Sequence, residues 1–202
     1  PVEFDEALAR LDALINYEVV PRAGAIEGLT LEPMQQLMAL LGDPHGAYPV
    51  IHITGTNGKG STTRMMEALL QTMGLRVGTY TSPHLDSVTE RIRLGGESIS
   101  DEAFGNAVGT VLTAIDAAGF EPMTWFETVT AAALLEFANE AVDVAIIEVG
   151  MLGRYDATNV VLAQVAVITN IGLDHSSGEG DWRATIAGEK AGIVEPTSTL
   201  VL

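Results

Sequence analysis

The sequence contains no cysteine, few basic residues and no long apolar run. Without cysteine there is no disulfide framework and no thiolate metal site, so a bound metal must take oxygen or imidazole ligands, which suits Mg²⁺. No apolar run approaches the roughly 18 residues that a membrane-spanning helix needs. The acidic N-terminus also lacks the basic and apolar regions of a signal peptide. We therefore expect a cytoplasmic protein that does not bind membranes.

Basic residues are scarce, because 10 Lys and Arg stand against 27 Asp and Glu and give a formal net charge of −17. This charge repels nucleic-acid phosphates unless basic residues cluster, and they do not, so we expect no nucleic-acid partner. A small polyanion such as ATP must then be bound locally, by backbone amides, a lysine and cations. The simplest interpretation of the acidity is a well-solvated surface. With 47% hydrophobic residues among 202, the chain can still bury one substantial core.

A glycine-rich segment, Gly55-Thr56-Asn57-Gly58-Lys59-Gly60-Ser61, directly follows the apolar run 50–54. A buried strand that turns through glycines into a helix directs several backbone N–H groups at one point, and Lys59 adds a positive charge. This order predicts a phosphate-binding loop, although its spacing is shorter than the Walker pattern G-x-x-x-x-G-K-[ST]. The alternative is a glycine-rich turn that binds nothing. The predicted nucleotide-binding residues are Thr56, Asn57, Gly58, Lys59, Gly60 and Ser61.

Hydrophobic periodicity and turn residues divide the chain into alternating helices and strands. The predicted helices are 4–15, 31–41, 61–73, 100–118, one that begins after residue 124, and 182–191. The predicted strands are 50–54, 76–81, 91–94, 97–99, 142–149, 164–169 and 199–202. In the helix over 61–73, one face is predicted to carry Met65, Met66, Leu69, Leu70 and Met73. The alternation predicts an α/β fold, a mostly parallel sheet with helices on both faces like that of P-loop NTPases.

Four polar residues follow strands of the predicted sheet, at the edge where ligands gather in such folds. Lys59 comes after the first strand, and Ser82 ends the second. Glu148 closes the apolar run 144–147 and suits a magnesium ligand, and His175 follows the next strand. Each has a structural alternative, since Glu148 can cap a neighbouring helix and His175 can be a satisfied turn residue. Their shared edge beside the phosphate loop favours a functional site.

Several motifs occur in one order along the chain, and together they resemble the folylpolyglutamate synthase and dihydrofolate synthase family of the Mur ligase superfamily. Besides Gly55–Ser61 they are Thr81-Ser82-Pro83-His84-Leu85, Glu90-Arg91-Ile92, Glu148-Val149-Gly150, Asp156-Ala157-Thr158-Asn159, Leu173-Asp174-His175 and Glu189-Lys190-Ala191-Gly192-Ile193. The resemblance implies an ATP-dependent ligase that adds L-glutamate to dihydropteroate or folate polyglutamates through an acyl phosphate. It also implies ATP, Mg²⁺, L-glutamate and a pteroate or folate as ligands.

The resemblance also assigns residues. It implies that 58–61 hold the ATP phosphates, and that Lys59, His175 and Lys190 are catalytic. Lys190 matches a lysine that is carbamylated in the family; the alternative is an exposed lysine near a helix C-terminus. The implied metal ligands are Ser82, Glu148, His175 and carbamylated Lys190. The implied pterin-site residues are Phe126, Glu127, Tyr155, Asp156 and Ala157. Thr124-x-x-Glu127 is also a helix capping box, which gives Glu127 a structural alternative.

Three stretches depart from the family pattern. Ser87-Val88-Thr89 replaces the usual Phe-Asn before Glu90, Met151-Leu152 stands where the family has Leu-Gly, and 176–180 differs from the expected sequence. We interpret residues 1–202 as an N-terminal ATP-binding domain, with a helical lead-in over 1–48 and a P-loop α/β core over 49–202. Because the chain starts without methionine and stops inside an apolar run, we expect a fragment, inactive alone, whose C-terminal glutamate-ligase domain is absent. The expected oligomeric state is a monomer. Two alternatives stay open: a Mur-type or cyanophycin-type ligase with another acceptor, and a non-catalytic nucleotide-binding module.

Overall fold

The computed structural model describes residues 2–19, 30–120, 123–173 and 180–202, and it contains a seven-stranded sheet. The strands lie in the order β4-β3-β2-β5-β1-β6-β7. Strands β2, β5, β1, β6 and β7 are parallel, and the hairpin β3-β4 joins β2 in antiparallel fashion. Their bounds are β1 (Val50–Thr54), β2 (Val77–Tyr80), β3 (Ile92–Leu94), β4 (Glu97–Ser98), β5 (Val144–Glu148), β6 (Val165–Ile168) and β7 (Thr199–Val201). The predicted α/β fold is confirmed.

Helices cover both faces of the sheet. They are α1 (Phe4–Asp12), α2 (Glu32–Leu40), α3 (Lys59–Thr72), α4 (Asp101–Ala118), α5 (Trp125–Asn139) and α6 (Trp182–Lys190). Residues from α1, α2, α4 and α5 share one hydrophobic core with Tyr80 and Ile147 of the sheet. Part of α3 packs on the opposite face, against Ile53 and Ile146. The two cores take alternate residues of the strands, because successive side chains point to opposite faces.

The starts of α4 and α5 follow the sequence signals. Ser100 caps α4 by accepting a hydrogen bond from the Ala103 N–H at 3.1 Å. Thr124 and Glu127 form the predicted capping box at the start of α5. Within the described ranges, no helix has the length and apolar character needed to cross a membrane.

The predicted apolar face of α3 is wrong in part. Met66 and Leu70 pack towards the sheet, but Met65, Leu69 and Met73 are 60%, 64% and 72% exposed. The helical period separates these two sets into neighbouring stripes, and only one stripe contacts the sheet.

The buried face of α3 carries a carboxylate instead. Glu67 lies under the helix, where Thr79 donates to it at 3.0 Å and the Arg93 guanidinium lies 3.4 Å away. These partners on β2 and β3 compensate the buried charge. The helix also begins at Lys59, two residues before the predicted start, because Gly58 adopts the left-handed conformation that caps it.

Candidate functional site

The glycine-rich segment connects the carboxyl end of β1 to the first turn of α3, as predicted. At Gly55 a side chain cannot fit, because its Cβ would lie 1.8 Å from the Thr169 hydroxyl oxygen. Gly58 has φ 83°, a left-handed conformation that most side chains disfavour. The first N–H groups of α3 have no acceptor within the helix, so the turn directs several donors towards one point.

The loop that follows β6 braces this turn. The Asn57 N–H donates to the Asn170 side-chain oxygen at 3.0 Å, and the Asn170 amide nitrogen donates back to the Asn57 carbonyl at 3.0 Å. The Thr169 hydroxyl donates to the same carbonyl at 2.6 Å. The Thr56 hydroxyl accepts from the Gly172 N–H at 3.0 Å. The side chain of Thr56 and the backbone of Asn57 therefore stabilise the loop. The sequence analysis missed Thr169 and Asn170, although their place directly after a strand could have revealed them.

Lys59 lies on the inner side of the turn. Its ammonium group donates to the Gly55 carbonyl at 3.0 Å, which folds the side chain back across the loop. The positive charge is thereby held over the cluster of N–H donors. An anion of phosphate size is the ligand that such a combination of amides and ammonium stabilises.

Glu148 ends β5 directly beside the first turn of α3. Its carboxylate lies 3.6 Å from the point where a Gly60 side chain would begin. The Ser82 N–H, at the end of β2, donates to the same carboxylate. Burial raises the pKa of Glu148 to about 7, and the charges of Lys59 and Arg64 and the Ser82 hydrogen bond oppose this rise. The structure thus brings together Lys59, Gly60, Ser82 and Glu148.

The oxygen donors at this edge fit a hard divalent cation. Glu148 offers a buried carboxylate, and Ser82, whose backbone N–H donates to it, is a second residue with a side-chain oxygen. Among the described residues there is no group of three His, Cys, Asp or Glu side chains that could hold a metal by themselves. His175 lies outside the described residues. A hard cation held by Glu148 and Ser82 would complete its coordination with other oxygen ligands, such as those of a bound phosphate or water.

Lys190 is the last residue of α6, and its side chain is only 1% exposed. This burial contradicts the alternative of an ordinary exposed lysine. The end of α6 contacts the loop after β5, where the Arg154 N–H donates to the Glu189 carbonyl at 3.0 Å. Gly153 is required at this contact, because a Cβ there would lie 2.8 Å from that carbonyl.

Two aromatic side chains from the predicted substrate set lie around the loop after β5. The Phe126 ring lies against Gly150, where a Cβ would be only 2.5 Å from it, and is 6.1 Å from the Tyr80 ring. Tyr155 is 40% exposed. Ala157 is buried at the start of a short 3-10 turn, Ala157–Val160. The aromatic rings therefore offer partly exposed apolar surface.

The two predicted substrate carboxylates already have protein partners. Glu127 accepts hydrogen bonds from the Thr124 N–H at 2.8 Å and from its hydroxyl at 2.7 Å, as the capping-box alternative requires. Asp156 accepts from the Met151 N–H at 2.8 Å and from the Thr158 N–H at 3.1 Å. Both side chains therefore have structural contacts, and Asp156 in particular organises the loop after β5.

Arg91, from the Glu90-Arg91-Ile92 motif, is a buried cation that lies beside α5, and no site role was predicted for it. Arg91 is 1% exposed, and its guanidinium donates to the Glu18 carboxylate, at 3.0 Å for the longer bond. It also donates to His84 Nδ1 at 2.8 Å and lies 4.5 Å from the centre of the Trp125 ring. This cluster fixes the segment that follows Ser82. No local sequence pattern reveals the pair, because its members are 73 positions apart.

Comparison with known proteins agrees with the resemblance found in the sequence. Dihydrofolate synthase/folylpolyglutamate synthase of Mycobacterium tuberculosis is 46% identical over 175 residues, which cover 82% of this chain and 36% of that protein. The probable bifunctional folylpolyglutamate synthase/dihydropteroate synthase of Haloferax volcanii is 41% identical over 202 residues, 99% of this chain and 23% of that protein.

A solved structure of bifunctional folylpolyglutamate synthase/dihydrofolate synthase, with Mn, AMPPNP and L-glutamate bound, has the same fold. Its TM-score is 0.84 at 36% identity, and the match covers 98% of this chain and 45% of that one. The chain therefore spans less than half the length of each of these three relatives. Residues 53–201 match the Mur ligase middle domain. Since this match covers well over half of the sequence, the chain belongs to the Mur ligase middle-domain family.

Proposed function

We propose that the protein to which this chain belongs is an ATP-dependent ligase that adds L-glutamate to dihydropteroate, to folate polyglutamates or to both. The main support is that Glu148 and Ser82 lie beside the phosphate loop, at one edge of the sheet. The names of the most similar relatives, and the AMPPNP, Mn and L-glutamate bound in one of them, support the same activity.

In this proposal the ATP phosphates bind at Gly58 to Ser61, with Thr56 and Asn57 holding the turn in shape. Mg²⁺ is held by Ser82 and Glu148, by His175, and by Lys190 once it is carbamylated. When bound, the cation neutralises phosphate charge and so makes the γ-phosphorus easier to attack. The expected cellular location is the cytoplasm, and the expected state is a monomer.

The proposed reaction has two successive steps, and the chain's own residues stabilise the charge that develops in the first. In the first step, an oxygen of the acceptor carboxylate attacks the γ-phosphorus, the bond to the β-phosphate bridging oxygen breaks, and ADP leaves. Lys59 and the amides of α3 stabilise the charge that develops on the transferred phosphoryl group. In the second step, the unprotonated amine of glutamate attacks the acyl carbon and the bond to the phosphate oxygen breaks. The nitrogen then loses one proton to the departing phosphate or to water, and an amide and inorganic phosphate result.

The acceptor is proposed to lie along the loop after β5. Phe126 and Tyr155 provide apolar faces for a flat heterocycle, and Ala157 leaves room beside them. Because the carboxylates of Glu127 and Asp156 have protein partners, we expect them to shape this pocket and to use only remaining lone pairs for the acceptor.

Turnover by the full-length protein tests the proposal. ATP and L-glutamate are supplied with dihydropteroate, tetrahydrofolate or a UDP-sugar peptide, and ADP release and product mass are measured. Glutamylation of either pterin acceptor supports the proposal and distinguishes first-glutamate addition from polyglutamylation. Turnover with only the UDP-sugar acceptor would show a Mur-type ligase, and nucleotide binding without any turnover would show a non-catalytic module.

A further inference from the structure

A chain of buried polar groups runs from the central strand to the loop after β5. His52, in the middle of β1, lies with Nε2 2.9 Å from the Thr158 hydroxyl oxygen. That hydroxyl in turn donates to Asp156 Oδ1 at 2.5 Å. All three side chains are buried. Since the single hydroxyl proton points to the carboxylate, Thr158 must accept from His52, and the imidazole hydrogen therefore lies on Nε2.

The loop after β5, residues 149–156, is here called the acceptor loop. Asp156 connects the buried polar groups His52 and Thr158 to the backbone of this loop. Its carboxylate accepts from the N–H groups of Gly150 and Met151, the second at 2.8 Å. Gly150 is the residue that lies against the Phe126 ring. The position of the Asp156 carboxylate therefore sets the distance between the acceptor loop and the aromatic ring.

A second contact ties the same loop to the same strand. The Thr54 hydroxyl, at the end of β1, donates to the Leu152 carbonyl at 2.5 Å. Leu152 has φ 58°, so the loop keeps a left-handed conformation that a leucine disfavours. Such a conformation persists only where surrounding contacts hold it. Thr54 also directly precedes the phosphate loop, so both contacts connect the acceptor loop to the strand that carries that loop.

We propose that Thr158, oriented by His52, is a positioning residue that fixes the acceptor loop for binding of the pterin-containing substrate. The proposal rests on the proposed function, because it assigns the acceptor to the Phe126 side of this loop. Thr158 does not touch the reacting atoms. Its hydroxyl orients Asp156, and Asp156 orients the N–H groups of Gly150 and Met151. Without the hydroxyl, Asp156 keeps its backbone donors and the loop remains folded, but the carboxylate loses the contact that fixes it against β1.

The test uses the full-length protein and compares Thr158→Val, which removes the hydroxyl at nearly constant shape, with Thr158→Ser, which keeps it. Thr79→Val is the matched control, since Thr79 is also a buried threonine that donates to a buried carboxylate, Glu67 at 3.0 Å, on the opposite face of the sheet. The KM values for dihydropteroate and for ATP are measured together with calorimetric affinities for both ligands and the midpoint of thermal unfolding.

We expect Thr158→Val to raise the KM and the Kd for dihydropteroate by about five- to tenfold, as the loss of one buried hydrogen bond implies. The values for ATP should stay within about twofold, and Thr158→Ser should restore the wild-type values. Thr79→Val should lower the unfolding midpoint without changing the ratio of the two affinities. A second variant, His52→Leu, should shift the dihydropteroate affinity in the same direction as Thr158→Val, because it removes the donor that orients Thr158.

The proposal is overturned if Thr158→Val lowers stability with unchanged dihydropteroate affinity, or weakens ATP and dihydropteroate equally. If Thr158→Val does not fold, the affinities of His52→Leu for dihydropteroate and for ATP are compared instead. An unchanged dihydropteroate affinity, or an equal loss of both affinities, would then overturn the proposal. The wild-type protein is assayed first. If it neither uses nor binds any pterin acceptor, the proposed function is refuted, and this result is distinct from any difference between the variants.

Discussion

His52 gives a prediction about stability at low pH whose sign and size follow from its burial. The imidazole is fully buried in β1, and this burial lowers its pKa from 6.5 to about 3. The folded protein therefore keeps His52 neutral, whereas the unfolded chain binds a proton near pH 6.5. The unfolded state binds more protons between these values, so His52 makes the protein less stable as the pH falls from about 6.5 towards 3. Above about pH 6.5, His52 is neutral in both the folded and the unfolded state, so its effect on the free energy of unfolding no longer changes with pH.

The size of the effect follows from the same two pKa values. Each unit of pKa difference corresponds to about 1.4 kcal/mol. Between pH 7 and pH 4 the free energy of unfolding should therefore fall by about 3 kcal/mol through His52 alone. Buried carboxyls act in the opposite direction, because burial raises the pKa values of Glu136 and Asp156 and favours the folded state as they protonate.

Urea unfolding from pH 7 to pH 4 is measured for the wild type and for His52→Gln, which cannot titrate but keeps an N–H donor for Thr158. The carboxyl contributions are common to both proteins and cancel in the difference. We expect the stability of the wild type relative to the variant to fall by about 3 kcal/mol over this range. Parallel pH profiles would show that the imidazole reaches water or finds a charged partner, and would refute the reasoning.

Four further predictions concern the phosphate loop, the proposed metal site, the modified lysine and the surface. Lys59→Ala should weaken ATP binding at least about tenfold by calorimetry, because a charge-assisted hydrogen bond is lost. The control, Arg76→Ala, removes an exposed charge on the loop between α3 and β2 and should leave the affinity for ATP unchanged. Glu148→Gln should raise the magnesium concentration that half-saturates the full-length enzyme, and an unchanged magnesium dependence would make Glu148 structural. Lys190→Ala should lose most activity and regain part of it with acetate or formate. Full activity of this variant without rescue, or electron density for an unmodified Lys190 side chain at neutral pH, would contradict the modification. Because the net charge is −17, raising KCl from about 0.05 M to about 1 M should increase the free energy of unfolding by screening carboxylate repulsion, and a decrease would contradict this account.

Much of the fold was predictable because it depends on patterns that are local in the sequence. Alternation of apolar runs and turns located each strand, and the polar residues after them marked the edge where Lys59, Ser82 and Glu148 meet. This follows from the geometry of parallel strands, whose carboxyl ends share one edge. The capping box at Thr124 and Glu127 was equally local, and it proved to be formed.

The rest depended on contacts between distant parts of the chain. The apolar residues of α3 form two stripes, and only the tertiary structure decides which stripe packs on the sheet and that Glu67 is buried beneath the helix. The burial of Lys190 and the partners of Asp156 likewise follow from where α6 and the acceptor loop lie. The place of His175 stays a prediction, since it falls outside the described residues.

The central position of β1 has a consequence for how the protein is made on the ribosome. Ile51 of β1 pairs with Ile146 on one side and with Val165 on the other, and Asn57 bonds to Asn170, which lies 113 positions later. The nucleotide site therefore cannot assemble while only its motif has emerged from the exit tunnel; it requires synthesis of the chain through Asn170. Before β5 has been made, β1 is an apolar segment without either of its strand neighbours, the kind of sequence that chaperones bind during translation.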